Sequence, residues 1–263
     1  MSRPAPYPER YGRWAVVAGA SEGLGAAFAE ALAARGMNLV LLARRAPVLG
    51  ALAADLTSRH PIEVRPLICD LADAGFTEGL IRETAGLDVG VAVYNAAYSF
   101  VAPLLERPLE DALRVVDVNV RGPLRFSHTL VPPMIARGRG ALVLMASLAG
   151  LQGSPRLAAY AASKAFNIVL GESLWAELAP KGIDVVVSCA GAIRTPGYAK
   201  ALKKEAPGTL DAAAVAEATL AALGHGPLVT PGGVNKLATF FMRRLATRRA
   251  AIGIMGDSVS GLE

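Results

Sequence analysis

Cysteine is scarce in this sequence, which has only two, Cys69 and Cys189, among 263 residues. Each stands at the end of an apolar run, so a disulfide framework is not expected and a reducing compartment is favoured. The first residues, MSRPAPYPERYGRW, carry proline and charge where a secretory signal needs an apolar core. No later run is long and apolar enough to cross a bilayer. We therefore expect a cytoplasmic protein without firm membrane association.

Histidine and aromatic residues are also sparse. The three histidines, His60, His128 and His225, show no partner pattern or metal-ligand spacing, so no metal site is predicted. The net charge is +5, but the basic residues are scattered except in a C-terminal cluster, and they are not interleaved with base-stacking aromatics. Nucleic-acid binding is therefore not predicted.

Apolar residues, in contrast, make up 53% of the chain, and no proline-rich, serine-rich or charged linker divides it. We interpret residues 1–263 as one domain. Apolar runs recur between helical segments, and their continuity indicates strands covered on both faces of a parallel sheet. These runs are 14–18, 38–43, 64–69, 89–94, 141–146 and 183–190, with a seventh near 226–230. The pattern predicts an α/β fold: a single doubly wound, Rossmann-type domain with a mostly parallel seven-stranded sheet.

A glycine-rich turn, Gly19-Ala-Ser-Glu-Gly23-Leu-Gly25, joins the first predicted strand to the first helix. Backbone amides in such a turn can approach a pyrophosphate, and the helix N-terminus favours its charge. The alternative is a helix-start turn that binds no ligand. Its position in a strand–turn–helix unit favours a dinucleotide site.

Two arginines, Arg44 and Arg45, follow the second predicted strand, where an acidic residue would select a free ribose 2′-hydroxyl. Guanidinium groups pair with phosphate instead, so NADP(H) is preferred over NAD(H), with Arg44 the stronger candidate. Two solvated arginines at a helix start are the alternative. Asp70, after the third strand, is predicted either to accept from the adenine amino group or to serve as a turn residue.

A tyrosine and a lysine stand four residues apart in YAASK, residues 160–164, which places them one helical turn apart on one face. An ordinary amphipathic helix is the alternative interpretation of this pair alone. The chain also contains Asn95-Ala-Ala after the fourth strand, Asn119 in VDVNVRGP and Ser147 in LMASLAG. With the glycine turn, these motifs resemble, in order and from about residue 14 to 196, the classical short-chain dehydrogenase/reductase family.

The resemblance implies carbonyl reduction by hydride transfer, or the reverse, with Asn119, Ser147, Tyr160 and Lys164 as the catalytic residues. Tyr160 is expected to give the proton and Ser147 to hydrogen-bond the same oxygen. Lys164 is expected to lower the pKa of Tyr160 from about 10, and Asn119 to hold a water that links Lys164 to solvent.

Cofactor contacts are implied at motif positions along the whole matching region. Thr195 is expected at the nicotinamide end, and Ile193 is expected to offer its amide to the carboxamide. The full set is Gly19, Ser21, Glu22, Gly23, Leu24, Gly25, Arg44, Arg45, Asp70, Leu71, Asn95, Ala96, Tyr160, Lys164, Gly191, Ile193 and Thr195.

The sequence departs from the family pattern at four places. Ala18 replaces a threonine whose hydroxyl tethers neighbouring loops, and Tyr94 replaces a frequent asparagine. Ala97 stands where glycine permits close approach, and Ala190 precedes Gly191 where proline is usual. These departures bear on cofactor affinity and loop geometry more than on the chemistry.

A substrate flap is predicted over about 193–210 and a C-terminal helix over about 235–250. The loops around the site are apolar and indicate a hydrophobic ketone or alcohol, through Tyr98, Phe100, Leu148, Leu151 and Leu157. Basic side chains near them either attract a charged tail, such as an acyl thioester, or are simply solvated; they are Arg156, Lys200, Lys203 and Lys204. The C-terminal helix either packs on the domain, which we favour, or meets a subunit or an anionic membrane.

The sequence therefore predicts an NADP(H)-dependent ketone reductase or secondary-alcohol dehydrogenase. The resemblance also implies a homodimer or homotetramer formed through the helices that carry Asn119 and Tyr160. A cofactor-binding sensor or scaffold without turnover is the alternative from another class. Double-bond reduction is disfavoured because related enoyl reductases usually have a longer Tyr-to-Lys spacing.

Overall fold

The computed structural model describes residues 5–196 and 205–259. The first half alternates strands and helices: α1 (Tyr7–Arg10), β1 (Trp14–Ala18), α2 (Gly23–Ala33), β2 (Asn38–Ala43), α3 (Ala46–Arg59), β3 (Val64–Ile68), α4 (Phe76–Thr84) and β4 (Val89–Tyr94). The second half contains α5 (Leu109–Val116), α6 (Gly122–Arg137), β5 (Gly140–Ser147), α7 (Ala158–Leu178), β6 (Ile183–Ala190), β7 (Ile193–Arg194), β8 (Leu210–Asp211), α8 (Ala212–Ala221), β9 (Leu228–Val229), α9 (Gly233–Arg244) and α10 (Arg248–Val259).

The central sheet has seven strands in the order β3-β2-β1-β4-β5-β6-β9, and all of its pairings are parallel. This confirms the doubly wound, Rossmann-type fold predicted from the continuous apolar runs. The order changes direction between β1 and β4, where Ala18 pairs with Leu42 on one side and Tyr94 on the other. In such sheets the crevice at this switch point, beyond the carboxyl ends of the strands, is where ligands bind.

Both faces of the sheet are covered because successive strand residues point to opposite sides. Val17 belongs to the core on one face, which is filled by Phe28 of α2 and Leu49 of α3. Val16 belongs to the other core, together with Phe126 of α6. All five of these side chains are completely buried.

The two edges of the sheet are poor templates for further strand pairing. At one edge, β3 contains Pro66, which has no N–H to donate, next to the charged Arg65. At the other edge, β9 is only two residues long. Short strands, proline and charge are features that block edge-to-edge association.

The C-terminal helix predicted over about 235–250 is instead two helices, α9 and α10, separated at residues 245–247. The break lets α10 turn onto the segment that follows β5, where Arg248 donates to the carbonyl of Leu151 at 2.8 Å. Ala251 of α10 is 2% exposed, and a Cβ on Gly153 would lie 3.5 Å from the Ile252 side chain. Burial on that segment, which a single straight helix would not give, explains the difference.

The predicted flap is described only at its two ends. There β7 pairs with β8 through Ile193–Leu210 and Arg194–Asp211, and Arg194 forms ion pairs with Glu205 and Asp211. The lysines that we considered for a charged tail in this flap, at 200, 203 and 204, lie outside the described residues. In the part of the chain that is described, no helix has both the length and the apolarity needed to cross a membrane.

Candidate active site

The glycine turn is too tight for side chains at its key positions. Gly19 has φ +79°, in the left-handed region that favours glycine, and a Cβ on Gly25 would lie 1.9 Å from the carbonyl oxygen of Gly19. The first turn of α2 has no side-chain cap and no acidic residue, so its amides keep donors for an anion. The turn therefore fits the pyrophosphate of a dinucleotide.

The loop after β4 is tied to this turn despite the missing threonine. The carbonyl of Ala18 accepts from the amides of Asn95 and Ala96 at 3.1 and 3.0 Å. The side-chain amide of Asn95 also donates to the carbonyl of Gly19 at 3.0 Å. Main-chain bonds and one asparagine thus hold together the two loops that a threonine hydroxyl was expected to tether.

The two arginines after β2 point to different places. Arg45 forms an ion pair with Glu22 at 2.9 Å and donates to the Ser21 hydroxyl at 3.1 Å, so it lies over the glycine turn. Arg44 is more exposed and approaches Asp70 at 4.0 Å. Sequence reasoning favoured Arg44 for a phosphate, whereas in the structure Arg45 is the one beside the turn.

Asp70 serves as a turn residue and as an ion-pair partner. Its carboxylate accepts from the amide of Ala72 at 3.0 Å and from Arg114 at 2.6 Å. Burial alone would raise the pKa of Asp70, but the Ala72 amide and the Arg114 guanidinium together hold it below its ordinary value. Sequence reasoning missed Arg114, because only the fold brings α5 to the end of β3.

Ser147 and Tyr160 come together at the carboxyl end of β5. The Ser147 hydroxyl oxygen accepts from the amide of Ala149 at 3.2 Å, which starts a short 3₁₀ turn, Leu148–Leu151. Burial raises the pKa of the Tyr160 phenol, and a hydrogen bond with Ser147 opposes that effect. Burial is the largest cause, so the pKa of Tyr160 lies above its ordinary value, whereas Lys164 was expected to lower it.

Lys164 lies one turn further along α7 and is only 2% exposed. Its Nζ donates to the carbonyl of Met145 at 2.9 Å and lies 5.5 Å from the centre of the Tyr160 ring. Burial lowers the pKa of Lys164 from 10.5 to about 8. The Tyr160–Lys164 pair predicted from YAASK is therefore present, but burial also destabilises the charged form of Lys164.

Asn119 is completely buried in a π-helical segment, Asp117–Arg121, between α5 and α6. Its side-chain oxygen accepts from the amide of Tyr98 at 2.8 Å. Its side-chain nitrogen donates to the Tyr98 carbonyl at 2.9 Å and to the Ser163 hydroxyl at 3.0 Å. Both side-chain donors are used by protein groups, so the Asn119 amide fixes the loop after β4 and the start of α7.

A tyrosine maintains the π-helical segment, and sequence reasoning missed this role. The amide of Gly122 bonds to the carbonyl of Asp117, five residues earlier, and Pro123 has no N–H to give to the carbonyl of Val118. The Tyr94 hydroxyl donates to that carbonyl at 2.6 Å instead. A Cβ on Gly122 would lie 1.9 Å from the Tyr94 hydroxyl, so only glycine fits. The sequence did contain a signal for this role: a tyrosine at position 94, where the family often has asparagine, together with Gly-Pro at residues 122–123.

Thr195, which was predicted at the nicotinamide end, lies against the glycine turn. Gly23 has φ +57°, and a Cβ on it would lie 2.9 Å from the Thr195 methyl group, so the two loops are in close contact. A Cβ on Gly191 would lie 2.8 Å from the side-chain oxygen of Asn235. Ile193 is partly buried in β7.

Leu24 and Leu71 have side chains that belong to the two cores, at 7% and 5% exposure. This leaves their backbones for the predicted cofactor contacts. In the described part of the chain, no three or more His, Cys, Asp or Glu side chains are grouped to hold a metal ion.

The loops predicted to line the substrate pocket are joined to each other. The amide of Ala102 donates to the carbonyl of Arg156 at 2.9 Å. Arg156 has φ +65°, a conformation that costs energy for a residue with a side chain and is typical of functional loops. All five apolar side chains expected to face a hydrophobic substrate are partly buried, namely Tyr98, Phe100, Leu148, Leu151 and Leu157.

Comparison with known proteins bears on this site as a whole. Residues 13–206 match the family described as "short chain dehydrogenase". The 7beta-hydroxysteroid dehydrogenase of Collinsella aerofaciens is 34% identical over 188 residues, which is 72% of each chain. A very-long-chain 3-oxoacyl-CoA reductase of Aspergillus clavatus is 39% identical over 178 residues, 66% of this chain. The match spans only about half, 52%, of that reductase.

Solved structures resemble the fold closely. A 7beta-hydroxysteroid dehydrogenase studied for its stereoselectivity superposes with a TM-score of 0.90 at 29% identity, covering 95% of this chain and 99% of the other. A short-chain dehydrogenase from Sphingobium yanoikuyae in complex with NADPH gives a TM-score of 0.77 at 28% identity, covering 82% and 87%. The likeness therefore covers most of this chain in both cases.

Proposed function

The chain belongs to the short-chain dehydrogenase family, and from that premise we propose that it is an NADP(H)-dependent oxidoreductase that interconverts a hydrophobic ketone and a secondary alcohol. The observation that carries the proposal is the meeting of Ser147 and Tyr160 at the carboxyl end of β5, with Lys164 buried behind the phenol. Parallel α/β sheets bind their ligands at this end of the strands.

When bound, a dinucleotide would supply or accept the hydride, and the residues of the chain would stabilise the charge on the substrate oxygen. The Ser147 oxygen accepts from Ala149 and its hydroxyl is hydrogen-bonded to Tyr160, so a substrate oxygen that takes the place of this contact can receive the Ser147 proton. Tyr160 donates the proton during reduction. Its raised pKa keeps the phenol protonated at neutral pH, which suits the reductive direction.

Lys164 stabilises the phenolate that remains after proton transfer. Its ammonium gives one hydrogen to the Met145 carbonyl and keeps two for other acceptors. In a site that excludes water, the attraction between ammonium and phenolate is stronger than in bulk solvent. Asn119 is a positioning residue here, since it fixes Tyr98 and Ser163 on either side of the site.

The preference for NADP(H) is supported by the two guanidinium groups after β2. Arg45 lies against Ser21 of the glycine turn, and Arg44 faces Asp70. Together they offer positive charge where a 2′-phosphate would lie. The similar protein from Sphingobium yanoikuyae is in complex with NADPH, which agrees with this proposal.

A hydrophobic substrate is supported by the apolar loops and by the relatives, whose names refer to a hydroxysteroid and to a very-long-chain 3-oxoacyl thioester. We also propose a homo-oligomer formed through α5, α6 and α7. The single domain over residues 1–263 and the cytoplasmic location stay predictions from the sequence.

The decisive experiment follows NADPH absorbance with a panel of aliphatic, aromatic and steroid ketones. We expect the wild-type protein to oxidise NADPH with at least one hydrophobic ketone. Tyr160→Phe should lose most of this turnover, about a hundredfold or more, because the proton donor is gone. Its NADPH affinity, measured by calorimetry, should change little.

Tyr7→Phe is the matched control, because Tyr7 donates to the Leu220 carbonyl far along the chain and takes no part in the site. Full activity in Tyr160→Phe would refute the proton-donor role. NADPH binding without oxidation across the whole panel would instead indicate a cofactor-binding sensor.

A further inference from the structure

A second feature of the molecule is a row of apolar side chains on the outer side of α9. Five side chains there are between 46% and 70% exposed, and we call them the α9 stripe: Val234, Leu237, Phe240, Phe241 and Leu245. The last of them, Leu245, is the C-terminal capping residue of the helix. A single exposed leucine is ordinary, but several large apolar side chains on one element indicate a contact surface.

The helical period explains why these side chains lie together. Val234, Leu237, Phe241 and Leu245 follow each other at intervals of three, four and four residues, which aligns them along one side of the helix. Phe240 is three residues after Leu237 and borders the same side. A row with this spacing normally faces a protein core, whereas in α9 it faces away from the domain.

The opposite side of α9 is fixed to the domain. Asn235 is 3% exposed, and its side-chain nitrogen donates to the carbonyls of Gly208 and Pro231 at 3.0 Å each. Rotation of the helix to bury the α9 stripe would break both hydrogen bonds. The described part of the chain therefore leaves the stripe in contact with solvent.

Positive charge surrounds the α9 stripe. Residues 233–256 contain no acidic residue and five basic ones, all exposed, namely Lys236, Arg243 and Arg244 on α9, and Arg248 and Arg249 at the start of α10. Lys236 and Arg243 are seven residues apart, about two turns, so both lie on the same border of the stripe, next to Phe240. Long basic side chains can extend beside an apolar surface while their charged ends stay in water.

This single sign of charge indicates which partner fits the α9 stripe. The helix α5, through which we propose a homo-oligomer, instead carries both signs, with Glu110 and Asp111 in its first turn and Arg114 in its last. A second copy related by a two-fold axis would place the same cations opposite each other at the α9 stripe, which is unfavourable. An anionic lipid surface complements both the apolar stripe and the cations around it.

We propose that the α9 stripe is a docking site for an anionic phospholipid surface. The helix lies flat on the bilayer, with its apolar stripe at the level of the upper acyl chains and its basic residues beside the phosphates. The attachment is peripheral and reversible, since no helix in the described residues is long and apolar enough to cross a membrane. It needs neither substrate nor cofactor, so it does not depend on the proposed reaction.

Sedimentation of the full chain with phospholipid vesicles tests this proposal. Vesicles of phosphatidylcholine with about 30% phosphatidylglycerol supply the anionic surface, and pure phosphatidylcholine vesicles are the neutral comparison. We expect the wild-type protein to bind the anionic vesicles about tenfold more tightly or better, because the cations contribute only there. About 0.5 M NaCl should release most of the bound protein, because salt screens this attraction.

Two double variants separate the apolar from the charged contribution. Leu237→Gln with Phe241→Gln removes the middle of the stripe and should weaken binding to anionic vesicles about tenfold or more. Arg243→Glu with Arg244→Glu should weaken it about thirtyfold or more, because each basic residue near the surface contributes about fivefold. All four side chains are exposed, so thermal unfolding of both variants should stay close to that of the wild type.

Matched control variants change the same kinds of residue elsewhere. Val48→Gln with Ile81→Gln alters two exposed apolar side chains of α3 and α4. Arg13→Glu with Arg82→Glu reverses two exposed arginines and gives the same net charge as the charged test variant. Both controls should bind anionic vesicles within about threefold of the wild type, because charges beyond a Debye length are largely screened.

Three results would overturn the proposal. The first is a wild-type protein that does not bind anionic vesicles, and the second is an equal loss of binding in the test and control variants. The third comes from light scattering: a lower assembly mass in Leu237→Gln with Phe241→Gln would show that the stripe is a subunit contact. An unchanged mass together with lost vesicle binding is the expected result.

Discussion

Lys164 is the residue at which stability and chemistry oppose each other. Its ammonium is buried with a single described carbonyl as hydrogen-bond acceptor, and its pKa falls from 10.5 to about 8. A pKa that is lower in the folded state means that the unfolded chain binds the proton more tightly. Below about pH 8 the folded protein therefore carries the full cost of the buried charge, about 3 kcal/mol.

Lys164→Met should stabilise the protein while removing turnover. We expect the free energy of unfolding at pH 7 to rise by about 2 kcal/mol, because the desolvation cost disappears and about 1 kcal/mol is lost with the Met145 hydrogen bond. The gain should shrink between pH 8 and 10.5, as the wild-type lysine loses its proton. Urea denaturation at pH 7 and pH 10 measures both effects.

Lys181→Met changes an exposed lysine and should leave the free energy of unfolding nearly unchanged at both pH values. A less stable Lys164→Met protein at pH 7 would contradict the desolvation argument.

The two arginines after β2 give a second residue-scale prediction. Arg44→Asp and Arg45→Asp should each lower the ratio of NADPH to NADH efficiency by about tenfold to a hundredfold, because a phosphate contact is replaced by repulsion. Steady-state kinetics with both cofactors measures the ratio. Arg82→Asp, an exposed arginine on α4, is the charge-matched control. A ratio that stays constant in both test variants would mean that the phosphate is recognised elsewhere.

The π-helical segment is the element on which the geometry of the site depends. Tyr94→Phe leaves the carbonyl of Val118 buried without its hydroxyl donor, which should cost about 1–3 kcal/mol of stability. Since Asn119 belongs to this segment, kcat should fall together with stability. Thermal unfolding and turnover of one preparation test the link.

A double substitution tests the packing of the same element. Gly122→Ala alone should be strongly destabilising, because its Cβ would overlap the Tyr94 hydroxyl. In a Tyr94→Leu background the clash is removed, so the two effects should be less than additive. Full additivity would show that the tyrosine and the glycine do not contact each other.

The strands of the sheet were largely predictable from the sequence, whereas the break between the two C-terminal helices was not. The runs at 14–18, 38–43 and 183–190 coincide with β1, β2 and β6, because a strand buried on both faces leaves an unbroken apolar signature. The split between α9 and α10 left no such signature, since it depends on contacts with the distant segment after β5.

The same distinction applies to the site. Motif spacing placed Tyr160 and Lys164 on one face of α7, because the helical period fixes that distance. Ser147 was assigned through the resemblance to the family, and the structure places it beside Tyr160. Burial raises the pKa of Tyr160, whereas the spacing suggested a lower value, because burial is a property of the assembled fold and not of the spacing. Arg114 and Tyr94 were missed for a similar reason: their partners are distant in sequence.

On the scale of the whole molecule, one group of exposed apolar side chains lies on α9 and another on three neighbouring helices, α5, α6 and α7. Leu109 and Leu113 of α5, Leu124 of α6, and Val169 and Trp175 of α7 are between 38% and 66% exposed. Apolar surface of this kind is typical of subunit interfaces. It supports the proposed homo-oligomer, although the resemblance to the family first suggested it.

Leu113→Arg combined with Val169→Arg should therefore convert an oligomer to a monomer, because two charges would be buried at the contact. Light scattering after size-exclusion chromatography gives the mass directly. Ile81→Arg is the control, since Ile81 is 57% exposed on α4, away from these helices. A wild-type protein that is already monomeric, or a double variant of unchanged mass, would rule this surface out.

The two edges of the sheet affect how the protein aggregates during storage. Pro66 interrupts one border, and the other offers only Leu228 and Val229, so neither can seed a growing cross-β stack. During storage at high concentration, the native protein should therefore form amorphous aggregates through contacts between side chains. It should give no thioflavin-positive fibrils until the domain has melted.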